Sequence, residues 1–583
     1  LLDQCAASTS GITTLTRTIT VAEGVYAPGH LGELTQQVPF DLVDAVLVET
    51  GCLQQRLRAL PSRVGVYFVL ALGLYTHLGY ARVWDKLTAA LRTMPGAAVP
   101  HCSEKALRDL RRRIGAAPIK ALLDVLAGPL ATPDTPGARY RHWRTVAFDG
   151  CSSLKAPDAN SGWLGKIKHR MGWAGYPMVT LMCLVETGTR GLLAATFGPS
   201  GIGENAYARQ LVGALNASML VLADRGFDAN AFFQSVTGAK AQFLVRAKST
   251  RRPPVLAVLP DGSWLTRIAG VSLRVIGAHL SVLGADGSQV RGSYRLVTTL
   301  TDHRADPAEA LIRLYHERWE IESAYYALRH TLLGPRVLRS KDRWGLEQEL
   351  WGLLVTYQVL RRAMTEAAQD SGIDPDRLSF TIALEAARDT VAGTIGVLPQ
   401  EHHARVDLLG LIGRAVVADP LPQRRARYSA RKVKSPISRY HARPQGDERP
   451  LTVTDITTVT TEIQAPVLAA APQARAGRSS RVPRPRSGPR TPRLSASGPV
   501  PATNRVITDK RSSPPTCGAV LDLMRNDPHR SWRGRDLARA LGEVNINSFC
   551  TRLSQWAHQG LIHKIARATY ALTPTPLTTS AAT

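Results

Sequence analysis

The sequence predicts a multidomain α/β protein, and three observations carry that prediction. At 583 residues the chain is too long for a single hydrophobic core. Between Thr145 and Val245, short apolar runs alternate with helical segments, the pattern of strands and helices packed in layers. Two shifts in composition, at Ala131 to Arg139 and across residues 421–513, divide the remainder.

In chain order, residues 1–34 carry no strong period and are expected to be loosely ordered. Residues 35–130 form a helical region in which Phe40, Leu42, Val43, Val46 and Leu47 make one stripe and Val64 to Leu78 a buried helix. Ser103 caps a further helix whose Arg108, Arg111, Arg112 and Arg113 make a basic face, suited to phosphates or simply to solvent. Residues 140–248 hold the strands Thr145 to Phe148, Met178 to Val185, Leu192 to Phe197, Met219 to Ala223 and Gln242 to Val245, with helices at Glu204 to Leu215 and Ala229 to Val236. Residues 249–302 carry strand signals and the turns Asp261-Gly262 and Asp286-Gly287, which predict a β-rich insertion. Helices resume over residues 303–420, beginning at Asp306-Pro307 with Glu309 three residues after Asp306: an N-cap, a proline at N1 and a capping-box acid.

Residues 421–513 contain 19 Lys and Arg against 5 Asp and Glu in a Pro/Ser/Ala/Arg-rich setting, which predicts a disordered basic linker. That span supplies about half of the net charge of +27, and a balance of this sign and size favours a polyanionic partner, nucleic acid ahead of an anionic membrane. Seven scattered cysteines make no Cys-x-x-Cys pair and no zinc spacing, so reduced thiols are expected. No apolar run approaches the roughly 20 residues of a membrane helix, and nothing at the amino terminus, which begins at Leu1, has the pattern of a signal peptide. A cytoplasmic, nucleoid-associated protein with no membrane partner is expected.

The chemistry centres on the helix that begins at Asp306. At about 100° per residue, Tyr315, Arg318, Glu322 and Arg329 fall within an arc of about 60°, placing one carboxylate among groups that bind or stack on anions. Metal-assisted phosphodiester cleavage needs two or three carboxylates at one point. Asp149 follows the strand Thr145 to Phe148, and Asp224 follows the strand Met219 to Ala223 and precedes Arg225, so both are expected at strand ends on a sheet edge. Glu317 and Glu320 compete with Glu322 as the third acid, but they lie at about 200° and 140° on the helical wheel, away from the basic stripe. Trp319 and, on weaker grounds, Trp264 are candidates for stacking on an unpaired base, with helix packing the alternative for Trp319.

Three segments carry a resemblance to a known family: Asp149-Gly-Cys-Ser-Ser-Leu-Lys-Ala-Pro-Asp158-Ala-Asn160, Leu222-Ala-Asp224-Arg-Gly-Phe227, and the helix with Tyr315, Arg318 and Glu322. The chain resembles insertion-sequence transposases of the Asp-Asp-Glu class, insertion sequence four family, over residues 35 to 445. The region Pro39 to Leu91, with Arg58-Ala-Leu-Pro61 and Tyr80-Ala-Arg-Val-Trp84, is similar to that family's N-terminal domain. Arg329 stands where the family has Lys, keeping the charge and replacing a point donor by a fork.

The resemblance implies a ribonuclease H-like catalytic core. It also implies that Asp149, Asp224 and Glu322 are catalytic and hold two Mg²⁺ or Mn²⁺ ions. The implied reaction is nicking at transposon ends followed by transfer of the 3′ hydroxyl into target DNA. Double-stranded DNA is then the partner, and a homodimer brings two ends together. Tyr315, Arg318, Trp319 and Arg329, with Arg225 and Arg112, are expected to contact that DNA. A non-catalytic DNA-binding derivative and a metal-dependent nuclease without strand transfer are the alternatives.

Beyond the resemblance, residues 514–575 read as three helices and a hairpin, similar to a winged helix-turn-helix module. Ser531 is expected to cap the helix Trp532 to Leu541. Asn545, Asn547, Ser548 and Arg552 would then lie on or before the groove-reading helix, with Lys564 and Arg567 on the wing; a protein-binding winged helix is the alternative.

Overall fold

The computed structural model describes residues 30–393, 410–423, 456–466 and 517–572. Short breaks fall at 57, 59, 91, 93–98, 100, 167, 170–171, 285–288, 542–545, 559–560 and 567–568, and a small ribbon at 20–21 and 24–25 is also described. Asn545, Arg567, Asp286-Gly287 and most of the basic span lie outside the described residues; for Asn547 and Ser548 only helical backbone is described. The described residues up to 466 belong to one compact unit and those from 517 to 572 to a second.

The first unit opens with α1 (Phe40–Glu49), α2 (Ser62–Leu74), α3 (Tyr80–Thr88), α4 (Glu104–Ile114) and α5 (Ala117–Leu126). The sheet follows, with β1 (Trp143–Lys155), β2 (Met178–Glu186), β3 (Leu192–Pro199), α6 (Glu204–Gln210), β4 (Met219–Ala223), α7 (Asn230–Gly238) and β5 (Gln242–Arg246). Strands β6 (Ala257–Val258), β7 (Trp264–Ile268), β8 (Val271–Gly284) and β9 (Gln289–Thr298) extend it. Across the sheet the order is β6-β7-β8-β9-β5-β4-β1-β2-β3. Strands β1, β4 and β5 are mutually parallel, and β2, β3 and β9 run against their neighbours. The β-rich residues 249–302 therefore continue the same sheet, because β9 pairs directly with β5.

Side chains alternate between two cores, as the period of two in a strand requires. Ala147 and Cys151 of β1, with Leu220 and Leu222 of β4, face the larger core, which the N-terminal helices share. Val146, Phe148, Val221 and Ala223 face the smaller one, with Tyr207 of α6 and Phe232 and Phe233 of α7. Trp264 is buried in this second core, so it packs where stacking on a base was expected.

Beyond the sheet lie α8 (Ala308–Tyr315), α9 (Trp319–Tyr326), α10 (Arg343–Asp370), α11 (Phe380–Gly393) and α12 (Gly410–Ala418). Helix α2 is buried on nearly every side, as an apolar surface all round demands. It crosses α10 closely enough that a Cβ on Gly73 would lie 2.5 Å from Thr356 Oγ1, and one on Gly352 2.9 Å from a Val69 methyl. The N-terminal helices thus share their core with α10, across the boundary expected at Ala131 to Arg139.

Three local expectations are corrected. The expected cap Asp306 is not the residue before the helix: Pro307 takes that place without a side-chain cap, and the Asp306 carboxylate pairs with Arg141 at 3.1 Å. Within the expected disordered linker, Ile456–Gln464 forms β10 and pairs with β8. Its sequence, Ile-Thr-Thr-Val-Thr-Thr-Glu-Ile-Gln, is rich in β-branched residues and holds no Lys or Arg, a local signal that the charge of the whole span obscures.

The third correction lies in the second unit, which contains α13 (Cys517–Arg525), β11 (Trp532–Arg533), α14 (Gly534–Ala540), α15 (Ile546–His558), β12 (His563–Ala566) and β13 (Thr569–Ala571). Its strands run in the order β11-β13-β12 over a core of Val520, Leu537, Phe549, Leu553 and Tyr570. Trp532 is a strand residue paired with Tyr570 and buried, so the helix starts at Gly534 rather than after a Ser531 cap.

Candidate active site

Register brings the two aspartates together. Strands β1 and β4 are paired in parallel up to Phe148 opposite Ala223, so Asp149 and Asp224 are the next residues on adjacent strands. Alternation turns both toward the larger core, the side of Ala147, Cys151, Leu220 and Leu222. Strand β4 ends there, as expected. Strand β1 does not end: it runs on to Lys155, pairing Asp149 with Cys183 of β2 and carrying a register shift between Cys151 and Leu154. Asp149 accepts from the Gly150 amide at 2.8 Å and Asp224 from the Gly226 amide at 2.7 Å, which orients each carboxylate.

The third acid arrives on a helix whose winding is not uniform. Between α8 and α9, His316–Arg318 is a tighter 3₁₀ turn, and Ala327–Leu332 after α9 is a π turn. In a 3₁₀ turn residues three apart eclipse one another, which places Arg318 over the Tyr315 ring at 5.9 Å. From Arg318 one α turn reaches Glu322, and the guanidinium Nη2 donates to its carboxylate at 3.2 Å. The π turn lies at Arg329, where even α periodicity no longer holds. Tyr325 fixes the helix on the strand, its hydroxyl donating to the Asp149 carbonyl at 2.6 Å and the Leu181 carbonyl at 3.3 Å.

Electrostatics bind the four charged groups into one cluster. Burial pushes the Asp149 carboxyl up to about 7; the Arg318 charge opposes this, and the nearby Asp224 and Glu322 charges add to it. For Arg318, burial acts to lower the guanidinium, but Tyr315 and the carboxylates of Asp149, Glu322 and Asp224 outweigh it and hold the group charged, above its ordinary value. The Arg318 side chain is 5% exposed, and its Nε has no hydrogen-bond partner among the described residues. This is a buried donor waiting for an acceptor.

Metal fit can be judged from the donor set. Among the described residues no three His, Cys, Asp or Glu side chains share one ligand point, and Glu322 is engaged by Arg318. In kind the donors suit a divalent ion, since three carboxylates with hard oxygens stand around the one guanidinium. Glu322 would have to turn from Arg318 to join the two aspartates.

The remaining expected site residues divide. Tyr315 and Arg318 are buried, so neither forms an open phosphate track; Tyr315 packs on Tyr294 at 5.9 Å, and burial raises its hydroxyl against the opposing charges of Arg318 and Arg246. Trp319 is half-buried with Arg318 over its ring at 5.3 Å. Arg329 is half-buried near Cys151 of β1, and Arg225 is exposed beside Asp224. Neither makes an ion pair among the described residues.

Arg112 is exposed on α4 and pairs with Asp109, whereas Arg111 beside it is buried and bonded to Gln348 and Ser340. Arg552 is half-buried beside Phe549 in the second unit. Glu320, a rival for the third acid, is buried in an ion pair with Arg190 at 2.5 Å. Sequence reading missed Arg246, which lies over Tyr294 at 5.2 Å, and Glu204, whose carboxylate fills the space a Cβ on Gly150 would need. Neither stands in a recognisable local pattern.

Two family models match the chain. Residues 28–124 match the insertion element 4 transposase N-terminal domain, and residues 144–359 match the transposase DDE domain. The chain is 26% identical over 421 residues to the transposase InsG for insertion sequence element IS4 of Escherichia coli (strain K12), an alignment spanning 70% of this chain and 92% of that protein. A cryo-EM structure of the piggyBac transposase synaptic complex with hairpin DNA aligns over 63% of this chain and 84% of its own, at 12% identity and a TM-score of 0.32, too low to define a shared fold. With both segments matched in order and a relative aligned over nearly its full length, the chain belongs to the insertion sequence four family of Asp-Asp-Glu transposases.

Proposed function

We propose that this transposase nicks DNA at the ends of its element and joins the freed 3′ hydroxyl to target DNA, with Asp149, Asp224 and Glu322 as ligands of two Mg²⁺ or Mn²⁺ ions. The observation that carries the reading is the register of β1 and β4, which sets Asp149 beside Asp224 on the face where α9 delivers Glu322. Transposases of this class generally use divalent metal ions, and two such ions would activate a water or 3′ hydroxyl and stabilise the leaving oxygen. The chain's own contribution is positioning. Gly150 and Gly226 amides orient the aspartates, Tyr325 pins the helix, and the buried Arg318 would turn its Nη2 donor to a phosphate oxygen once Glu322 moves from it. Arg225 and Arg329, more open, would hold flanking phosphates.

The order β3-β2-β1-β4-β5, with β4 and β5 parallel to β1 and cores on both faces, supports a ribonuclease H-like core. Three helices and a three-stranded sheet support a winged-helix reading of residues 517–572, with Arg552 and Asn547 on its last helix. We further propose a homodimer that brings two ends together.

The test is a cleavage assay on native element ends with Mg²⁺ or Mn²⁺. The expected products are 3′ nicks and joined strands. Nicks without joining would assign a nuclease, and tight binding without cleavage a DNA-binding derivative.

A further inference from the structure

Outside the carboxylate cluster, the same compact unit contains an open cleft of about 1010 Å³ between α4 and the start of α10. Its floor is rigid: Arg111 is buried and donates to Gln348 at 2.8 Å and to Ser340 at 3.2 Å. Around the floor stand Arg108, Arg112 and Lys341. Among the described residues, Arg108 and Arg112 pair only with Glu104 and Asp109 one helical turn away, each at 3.5 Å and exposed, pairs weak enough to give way to phosphates. Lys341 makes no ion pair among the described residues. Asp342, the other acid of the wall, is occupied as the N-cap of α10, accepting from the Gly345 amide at 2.8 Å.

The cleft also holds an aromatic side chain that packing does not explain. Trp344 is 71% exposed, although tryptophan is on average among the well-buried residues. The Arg343 guanidinium sits 4.9 Å from the Trp163 ring and 5.7 Å from that of Trp344, bracing the indole at the cleft's rim. A basic groove with an exposed indole is the arrangement that binds single-stranded nucleic acid, where charge follows the backbone and bases stack on the ring. A duplex offers no free base face to such a ring.

Position relates the cleft to the carboxylates. The loop that leads into α10 is tied to the end of β1, Leu338 N donating to Lys155 O at 2.9 Å. Lys155 lies six residues along β1 from Asp149, about 20 Å at about 3.4 Å per residue, a span that a few nucleotides of extended strand can cover.

We propose that this cleft seats a single strand of DNA, with phosphates on Arg108, Arg112 and Lys341 and an unpaired base on the indole of Trp344. The proposal rests on the reading of the protein as a DNA transposase and deepens it by assigning a second seat for an unpaired strand near a cut end.

The test uses the full chain with a labelled short poly-dT oligonucleotide, read by fluorescence anisotropy in EDTA so that no cleavage occurs. Trp344→Ala is expected to weaken binding about tenfold and Trp344→Phe to retain it. Arg112→Gln combined with Lys341→Gln should lower the salt slope by about 0.7 for each phosphate that is no longer neutralised. Unchanged affinity in Trp344→Ala, equal loss in Trp344→Phe, or an unchanged salt slope in the double variant would overturn the cleft. Because Trp344 is exposed, these variants should fold, which a thermal melt checks. Nicking of element ends is scored separately: its absence with Trp344-dependent binding intact would sink the catalytic reading alone, whereas intact nicking with Trp344-independent binding would sink the cleft alone.

Discussion

Helix α9 has two charged sides, and they differ in kind. On one, Glu320 is buried against Arg190, which also pairs with the buried Asp376. On the other, Glu322 shares Arg318 with Asp149 and Asp224. Residues only two apart thus join one cluster in which a guanidinium meets two carboxylates and another in which it is surrounded by three. The first is a structural brace in which the one guanidinium pairs directly with both carboxylates. The second sets three carboxylates around one guanidinium, and among the described residues the Arg318 Nε there has no hydrogen-bond partner, as suits a site that takes up a further ligand.

The sharpest way to break this contrast is to remove one charge on each side. Glu322→Gln is expected to reduce nicking and joining on element ends to background while leaving end binding in EDTA intact. Persistent cleavage would remove Glu322 from the ligand set. Glu320→Gln should instead act through stability: loss of one partner of a buried pair costs about 3–5 kcal/mol, to be read by urea unfolding, whereas Glu322→Gln should change stability little. Equal destabilisation by both substitutions would erase the distinction.

A pH titration sharpens it further. Asp149 holds its proton in the folded protein up to about 7, against about 3.8 in the unfolded chain. The folded state therefore binds the extra proton between those values, and metal-free stability should fall as pH rises from about 4 to about 7. The loss is on the order of 4 kcal/mol at most. Asp149→Asn should flatten that slope, and a slope unaltered by the substitution would place its origin elsewhere. The smallest effect expected is from metal. Mn²⁺ at a hundred times its dissociation constant should stabilise the wild-type chain by about 2.7 kcal/mol, seen as a higher Tm that Glu322→Gln loses and an Arg190 substitution keeps. A rise that survives loss of Glu322 would point to another binding site.

Much of this site was legible in the sequence because it obeys local rules. Asp224 closes an apolar strand, and Arg318 and Glu322 are one helical turn apart, so spacing alone brings them together. What could not be read depends on tertiary register. Only the pairing of Phe148 with Ala223 shows that Asp149 and Asp224 are neighbours facing one way, and only packing shows that Tyr315 and Arg318 are buried rather than open to a DNA backbone. A uniform turn angle also fails where the 3₁₀ and π segments flank α9. In the tail, counting charge over 93 residues hid nine that form a strand, because composition averages what a β-branched run specifies locally.

The brace at Glu320 has a consequence for how the molecule breathes. Arg190 joins the hairpin after β2 to α9 and to Asp376, and Tyr357 of α10 donates to its carbonyl at 2.8 Å. Local opening of α9 would strip a buried charge of its partner, so the amides around Ile321 and Ala324 should exchange with deuterium only through opening of the whole core. The helix that delivers Glu322 would then be among the slowest-exchanging parts of the chain, and whatever motion the carboxylate needs to meet a metal would be confined to its own side-chain torsions.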